Sequence, residues 1–275
     1  MVKQIVLADF TAETNKLLTI VNRKIVARKV TTLNEGFDST LKVDLAALRI
    51  VVETILTRIR KAETIYYTYL EDVDHSLIAG TTFNLPLRIE IELEYKGAFT
   101  KFDVSVDDRA MYKEMIDNYF HHYILVFAAI YENIVRLCEV LVKKVIVHLP
   151  KQKPISTPLV HYIGFFDLLN DLGYRRNDQL TICINNHAVY LKKYLEVINN
   201  LRNSYIHGFK SYLASDGANY RMVHDRAEQL FGSASPDLNI DLFSYQILHN
   251  TKLFFEDLLK ALQNKIQHPS KILPA

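Results

Sequence analysis

One short stretch of the sequence combines an arginine and a histidine at a spacing that suits chemistry on a phosphate group. It covers residues 202–207, with the sequence RNSYIH, at the end of a segment with helical periodicity. A guanidinium such as that of Arg202 holds a phosphate through a planar fork that stays charged. An imidazole such as that of His207 can move a proton, because its pKa lies near neutrality. These two groups are the minimum needed to cleave a phosphodiester without a metal.

The position of Arg202 on its helix indicates that it faces something polar. It interrupts a stripe of otherwise apolar or aromatic positions that step by four and three residues: Leu191, Leu195, Ile198, Arg202 and Tyr205. Burying an unpaired guanidinium costs several kcal/mol, so such an arginine faces a polar cleft, a carboxylate or a bound phosphate. In a straight helix His207 lies about 140° around the axis from Arg202. The two side chains converge only if the helix ends near Gly208, or if a second subunit completes the site.

The sequence also allows structural roles for both residues. His207 precedes Gly208, and a cation in the last turn of a helix interacts favourably with the helix dipole. For Arg202, the alternative is an ion pair with one of three carboxylates: Glu132, Asp167 or Asp171.

Residues 201–208, LRNSYIHG, resemble the Arg-polar-x-x-x-His signature of the HEPN superfamily (higher eukaryotes and prokaryotes nucleotide-binding). Residues 131–137, YENIVRL, are similar to the first long helix of such domains. The resemblance covers roughly residues 109–266. It implies a helical bundle that dimerises with its motifs facing each other. Many such domains are metal-independent endoribonucleases of toxins and defence systems, and others have lost catalysis and only bind.

The resemblance also implies roles for individual residues. Arg202 would bind or orient the phosphate, His207 would act as general acid/base for attack by the RNA 2′-hydroxyl, and Asn203 would orient the pair. Four further residues are candidates for substrate binding, either within or beside the motif or in the densest basic stretch of residues 109–275: Tyr205, Lys210, Lys143 and Lys144. The implied partners are RNA, a second copy of the chain, and an antitoxin or other protein.

Charge is distributed unevenly along the chain, although the net charge is only +2. Residues 1–108 carry 14 basic and 16 acidic side chains, and residues 109–275 carry 19 and 15. The small net charge argues against a strongly basic nucleic-acid-binding protein. A contact with a polyanion is therefore expected in the second part.

No cofactor motif and no strong metal site is found in the sequence. Gly-rich phosphate loops, Cys-x-x-Cys pairs and Gly-x-Ser-x-Gly elbows are absent. Asp117 and His121 have the i,i+4 spacing of metal ligands, with Glu114 and His122 nearby, but no second cluster supplies the remaining ligands. We therefore expect neither a cofactor nor a metal, and we expect these side chains to make solvent or interhelical polar contacts.

The two cysteines and the apolar runs bear on location. Cys138 and Cys183 lie among apolar neighbours, which suits buried thiols in a reducing compartment. The N-terminal residues lack the features of a secretory signal. The longest apolar run, residues 123–131, is far shorter than the roughly 20 residues that span a bilayer. We expect a cytoplasmic protein without membrane segments.

Periodicity predicts a mostly α protein with a single β-hairpin. Residues 41–69 follow heptad spacing, which predicts a long helix in an intramolecular helical hairpin or an intermolecular coiled coil. Residues 85–106 alternate apolar and polar side chains around Lys96-Gly97, as in a hairpin. The other predicted helices cover approximately residues 11–29, 109–147, 159–172, 186–207, 219–230 and 242–266. The predicted division is an N-terminal long-helix and hairpin region, 1–108, followed by a HEPN-like bundle, 109–275.

Three functional hypotheses fit these observations. The first is a dimeric HEPN-type ribonuclease. The second is a non-catalytic HEPN module that binds RNA, a nucleotide or a partner protein. The third is a structural helical scaffold built on the heptad segment. The first two require Arg202 and His207 to meet in an open cleft, and only an activity measurement separates them.

Overall fold

A computed structural model of the protein describes residues 2–32, 40–71, 87–106, 109–141, 179–206, 211–215, 220–224, 237–238 and 240–267. These residues are mostly helical, which confirms the predicted fold class. Among the described helices, none combines the length and the apolar character that crossing a bilayer requires.

The chain divides into two compact units, and each is assembled from three separate segments. The first unit comprises Met1–Asp9, Arg58–Ala128 and Val197–Asn250. The second unit comprises Phe10–Thr57, Ala129–Glu196 and Thr251–Ala275. The sequence-based division at residue 108 stays a prediction.

The described helices are seven in number and are labelled in chain order. They are α1 (Thr11–Thr32), α2 (Thr40–Ile65), α3 (Arg109–Val140), α4 (Gln179–Asn186), α5 (Ala188–Tyr190), α6 (Glu196–Ile206) and α7 (Ile240–Gln267). A first π-turn, Tyr66–Leu70, continues α2, and a second π-turn, Leu191–Leu195, joins α5 to α6. The predicted first, second and last helices are confirmed. The predicted helix at 159–172 lies outside the described residues.

The heptad spacing of residues 41–69 predicts the buried face of α2 correctly. Six of its positions are at most 2% exposed: Leu48, Val52, Ile55, Ile59, Ala62 and Tyr66. Such a stripe repeats every three to four residues because a helix turns once in 3.6 residues. These positions are buried within one chain, so a second chain is not needed to explain the heptad spacing.

The predicted hairpin is confirmed and belongs to a three-stranded sheet in the first unit. Strands β2 (Leu87–Tyr95) and β3 (Ala98–Val106) are antiparallel, and β1 (Val2–Val6) pairs with β2 in parallel. Lys96 and Gly97 have φ values of 52° and 76°, the left-handed conformation that a tight hairpin turn needs at both central residues. One side of the sheet packs around Leu7, Ile91 and Leu93.

A buried carboxylate holds the chain that follows β1. Glu63 of α2 is 0% exposed, and its two oxygens accept the backbone N–H of Ala8 at 3.2 and 3.0 Å. A buried carboxylate needs such donors because desolvation of an unpaired charge is costly. The contact fixes the end of the sheet to the end of α2 within the first unit.

The β-structure exceeds the single hairpin that the sequence predicts. Strands β4 (Ser211–Ser215), β5 (Tyr220–His224) and β6 (Asp237–Leu238) form a second, antiparallel sheet in the order β4-β5-β6. The helix predicted around 219–230 is therefore wrong at 220–224. The Asp-Gly pair at 216–217 is a turn signal for a hairpin. It predicts a hairpin only where the residues on both sides are recognised as strands.

The helix predicted over 186–207 begins earlier and is interrupted. Helix α4 ends at Asn186, and His187 has φ −99° and ψ 8°, outside the helical region. The Nε2 atom of His187 lies 2.9 Å from a carboxylate oxygen of Asp257 on α7. This tertiary contact accompanies the break, and helical periodicity alone does not contain it.

Three hydroxyl groups form a closed ring in the core of the second unit. Tyr131 of α3, Tyr190 of α5 and Thr251 of α7 are all buried. Their hydroxyl oxygens are 2.8 Å apart between Tyr131 and Tyr190, 2.9 Å between Tyr131 and Thr251, and 2.7 Å between Tyr190 and Thr251. The ring joins three helices through mutually satisfied polar groups, as buried hydroxyls require.

Candidate functional site

Helix α6 carries the described part of the Arg-x4-His motif. The helix ends at Ile206, so Arg202, Asn203 and Tyr205 lie in its C-terminal half. The stripe that precedes them is buried as predicted, since Leu191, Leu195 and Ile198 are all 0% exposed. Arg202, Asn203 and Tyr205 are half-buried. These three residues therefore lie where the buried face of the helix meets the surface.

Tyr205 packs against a histidine of α3. The ring of Tyr205 and the ring of His121 have centroids 4.0 Å apart and planes inclined by 40°. One turn before His121, the Oδ1 atom of Asp117 lies 3.6 Å from the Nε2 atom of His121. We call Asp117, His121 and Tyr205 the His121 cluster. It places an imidazole and a carboxylate beside the helix that carries Arg202.

The surroundings of His121 favour its neutral form. Burial lowers the pKa of His121, and the nearby carboxylate of Asp117 partly offsets this effect. The side chains of His121 and Asp117 keep 29% and 23% of their surface exposed. At neutral pH the cluster therefore presents an imidazole that can accept a proton and that solvent can reach.

Arg202 and Tyr205 are neighbours on the surface of α6. Residues three apart in a helix lie on the same side, about 5–6 Å apart at Cβ. Arg202 therefore lies on the side of α6 that contacts His121 through Tyr205. A guanidinium, an imidazole and a carboxylate in one region can bind an anion and transfer a proton beside it.

Several predicted site residues are not among those described. His207, Lys210, Lys143 and Lys144 lie outside the described residues. The convergence of Arg202 with His207 and the contribution of the three lysines to substrate binding stay predictions. Asp167 and Asp171 also lie outside the described ranges, so the ion-pair alternative for Arg202 stays open.

Asp117 and His121, which have the spacing of metal ligands on α3, both belong to the His121 cluster. Within the part of the chain that the structure describes, no group of three or more His, Cys, Asp or Glu side chains could hold a metal. His121 makes an interhelical contact with Tyr205 instead. The sequence pointed to Asp117 and His121 only through their i,i+4 spacing. Nothing local connects them with Tyr205, because their meeting depends on how α3 packs against α6.

In comparisons with protein-family models, with curated proteins and with solved structures, nothing matches this chain. The resemblance to HEPN domains therefore remains a prediction that depends on the sequence of residues 201–208 and on the helical segment before them.

Proposed function

We propose that the protein is a metal-independent endoribonuclease of the HEPN type that cleaves single-stranded RNA as a homodimer. The observation that best supports the proposal is the contact of Tyr205 with His121. It brings an imidazole with a lowered pKa and a carboxylate next to the helix that carries Arg202. The setting of Arg202 is thus one in which phosphate binding and proton transfer can be combined.

The proposed reaction is an attack of the RNA 2′-hydroxyl on the adjacent phosphorus. His207 removes the hydroxyl proton, the 2′-oxygen bonds to phosphorus, and the bond to the 5′-oxygen breaks. The departing 5′-oxygen takes up a proton, which leaves a 2′,3′-cyclic phosphate and a 5′-hydroxyl. Arg202 stabilises the charge on the phosphate oxygens, and Asn203 orients the pair. The second imidazole, that of His121, assists proton transfer.

The proposal includes a dimer because of the helical positions of the motif. In an ideal straight helix, positions 202 and 207 would be about 140° apart around the axis, so one such helix could not direct both side chains at one phosphate. A second copy of the motif facing the first would supply the missing group. Light scattering or sedimentation at micromolar concentration should detect the dimer, and a monomer at every concentration would contradict this part.

The biological setting is part of the same proposal. We propose a cytoplasmic toxin or defence protein, held inactive by an antitoxin or another protein partner. Both described cysteines, Cys138 and Cys183, are free and buried, which fits a reducing compartment. Lys143, Lys144, Lys210 and Tyr205 are the proposed contacts to the RNA backbone and bases.

The first experiment tests catalysis. The purified protein should cleave single-stranded RNA in the presence of EDTA, and DNA should resist because it lacks the 2′-hydroxyl. His207→Ala should lose about 10²–10⁴-fold in rate, the usual contribution of general acid–base catalysis. Arg202→Ala should lose a similar factor. His249→Ala is the matched control, because His249 is an exposed histidine that stacks on Tyr245.

The second experiment tests the His121 cluster. His121→Gln should lower the cleavage rate at least tenfold and should change the acid limb of the pH–rate profile, because the neutral imidazole is lost. His249→Ala, the matched control, should stay within threefold of wild type. An unchanged pH–rate profile for His121→Gln would show that the His121 cluster takes no part in the mechanism.

The outcomes also separate the hypotheses. A wild-type protein that is inactive on a broad RNA panel, or a His207→Ala variant as active as wild type, would refute the nuclease. Inactivity together with RNA binding that Arg202→Ala weakens would instead indicate a non-catalytic binding module. If the protein neither cleaves nor binds RNA, the third hypothesis, a structural helical scaffold, would remain.

A further inference from the structure

A cleft in the first unit lies between the C-terminal end of α2 and the N-terminal half of α3. Its volume is about 360 Å³. The residues that line it and carry polar or aromatic groups come from both sides: Lys61, Thr64 and Tyr69, and Asn118, Tyr119 and His122. Most of the lining surface is nonetheless apolar. This combination, an apolar cleft with a few converging polar groups, is typical of sites for small molecules.

A flat aromatic pair forms one wall of the cleft. The rings of Tyr69 and Tyr119 have centroids 3.5 Å apart and planes inclined by only 6°. Tyr69 belongs to the first π-turn, Tyr66–Leu70, which ends the helix that α2 begins. Burial and a hydrogen bond with Tyr119 raise the pKa of Tyr69 to about 12, so its hydroxyl stays protonated at neutral pH. Because each ring covers one face of the other, the pair presents an outer ring face and ring edges, all without charge.

The cleft also holds one cation and one neutral imidazole. Lys61 is exposed and makes no ion pair with a described residue. The side chains one turn away from it on α2 include no carboxylate: Thr57, Arg58, Thr64 and Ile65. Partial burial lowers the pKa of His122, and the charge of Lys61 lowers it further. His122 is therefore neutral at pH 7, and Lys61 is the charged group of the cleft.

We propose that this cleft binds a small organic monoanion with a flat apolar ring. The anionic group would contact the Lys61 ammonium and the His122 imidazole, and the ring would lie against the Tyr69–Tyr119 wall. The volume is at the lower end of the range for ligand pockets, about 300–1,000 Å³, which suits a molecule with one ring. One ammonium group matches one negative charge and provides no track for the successive phosphates of a nucleic acid. None of the residues that line the cleft belongs to the Arg202 motif or to the His121 cluster.

The test uses simple probes and calorimetry at pH 7. Benzoate and benzenesulfonate each carry one negative charge on a flat ring, benzamide keeps the ring without the charge, and inorganic phosphate has charge without a ring. We expect the two aryl anions to bind at least tenfold more tightly than benzamide or inorganic phosphate. Lys61→Met keeps the apolar stem and should weaken aryl-anion binding at least tenfold. Lys16→Met, at an exposed lysine on α1, is the matched control and should bind as wild type does.

A second measurement reports on the site directly. The imidazole resonances of His122 should shift when benzoate is added, whereas those of His249 should not. Tyr119→Leu should weaken benzoate binding without affecting the charge of the site. Equal binding of benzamide and benzoate, unchanged affinity in Lys61→Met, or silent His122 resonances would each overturn the proposal. RNA cleavage should be the same in Lys61→Met and wild type, so a failure here is distinguishable from a failure of the proposed nuclease.

Discussion

The ring of three hydroxyls in the second unit provides the sharpest test of the packing described above. Tyr131, Tyr190 and Thr251 have three hydroxyl hydrogens between them, and the three oxygen–oxygen distances of 2.7–2.9 Å allow each group to donate once and accept once. Tyr131→Phe removes two of the three hydrogen bonds. The bond between Tyr190 and Thr251 remains, but one hydrogen or lone pair on each loses its partner in a buried site.

The expected loss of stability follows from the number of hydrogen bonds removed and of polar groups left unsatisfied. A hydrogen bond contributes about 0.5–1.5 kcal/mol net, and an unsatisfied buried group costs about 1–3 kcal/mol. We therefore expect Tyr131→Phe to reduce the free energy of unfolding by about 1–3 kcal/mol. Thr251→Val removes two bonds with little change in shape and should cost a similar amount. The triple variant, in which Tyr190→Phe is added to these two changes, removes all three hydroxyl groups. No hydroxyl of the ring is then left without a partner.

The triple variant distinguishes a coupled ring from three independent contacts. Replacing all partners by apolar groups of the same shape can be nearly neutral, so its loss should be smaller than the sum of the three single losses by at least about 1 kcal/mol. Urea unfolding at pH 7, followed by far-UV circular dichroism, measures these differences. Tyr245→Phe, at a tyrosine that is 45% exposed, is the control and should change the stability by less than about 0.5 kcal/mol. Strict additivity of the single losses would refute the reasoning.

Three further predictions concern the turn, the His121 cluster and the thiols. Gly97→Ala should lower the free energy of unfolding by about 1 kcal/mol through its positive φ alone, because no atom lies within 4 Å of the added Cβ; a loss above 3 kcal/mol in urea unfolding would mean that the turn is packed. Because burial lowers the pKa of His121 in the folded state, the unfolded state binds more protons below about pH 6.5. Stability should then fall with decreasing pH by at most about 1.4 kcal/mol per pH unit from this group, and His121→Gln should reduce that slope in unfolding titrations. Burial raises the pKa of Cys138 and raises that of Cys183 to about 12, so at pH 8 a thiol reagent should modify both only as fast as the protein opens; rapid modification of the native protein would contradict this.

Local periodicity was sufficient for the long helices and the hairpin. The heptad spacing on α2 corresponds to positions that are buried, such as Leu48 and Ile59, because the same face repeats along the helix. The alternation of apolar and polar side chains in β2 is also a local pattern, so the sequence alone predicts this strand. By contrast, β1 pairs with β2 in parallel only after α1 and α2 have intervened, and five residues with little alternation do not predict such a partner.

The same distinction applies to the candidate site. The sequence identified Arg202 and Asn203 through the motif and through the interrupted stripe of α6. It did not place His121 beside Tyr205, because that contact results from packing between helices and has no signature in either segment. The cleft near Lys61 and His122 was also missed, since its lining combines α3 with the end of α2.

The assembly of each compact unit from three separated segments has a consequence for synthesis on the ribosome. The first unit requires residues up to Asn250, and the second requires Thr251 and the residues beyond it. Neither unit can be completed while translation is still in the middle of the sequence. The nascent polypeptide must carry unfinished apolar helices such as α3 until α7 emerges, which exposes them to aggregation. Cutting the gene at any single point would separate segments that belong together, so expression of halves should give insoluble fragments.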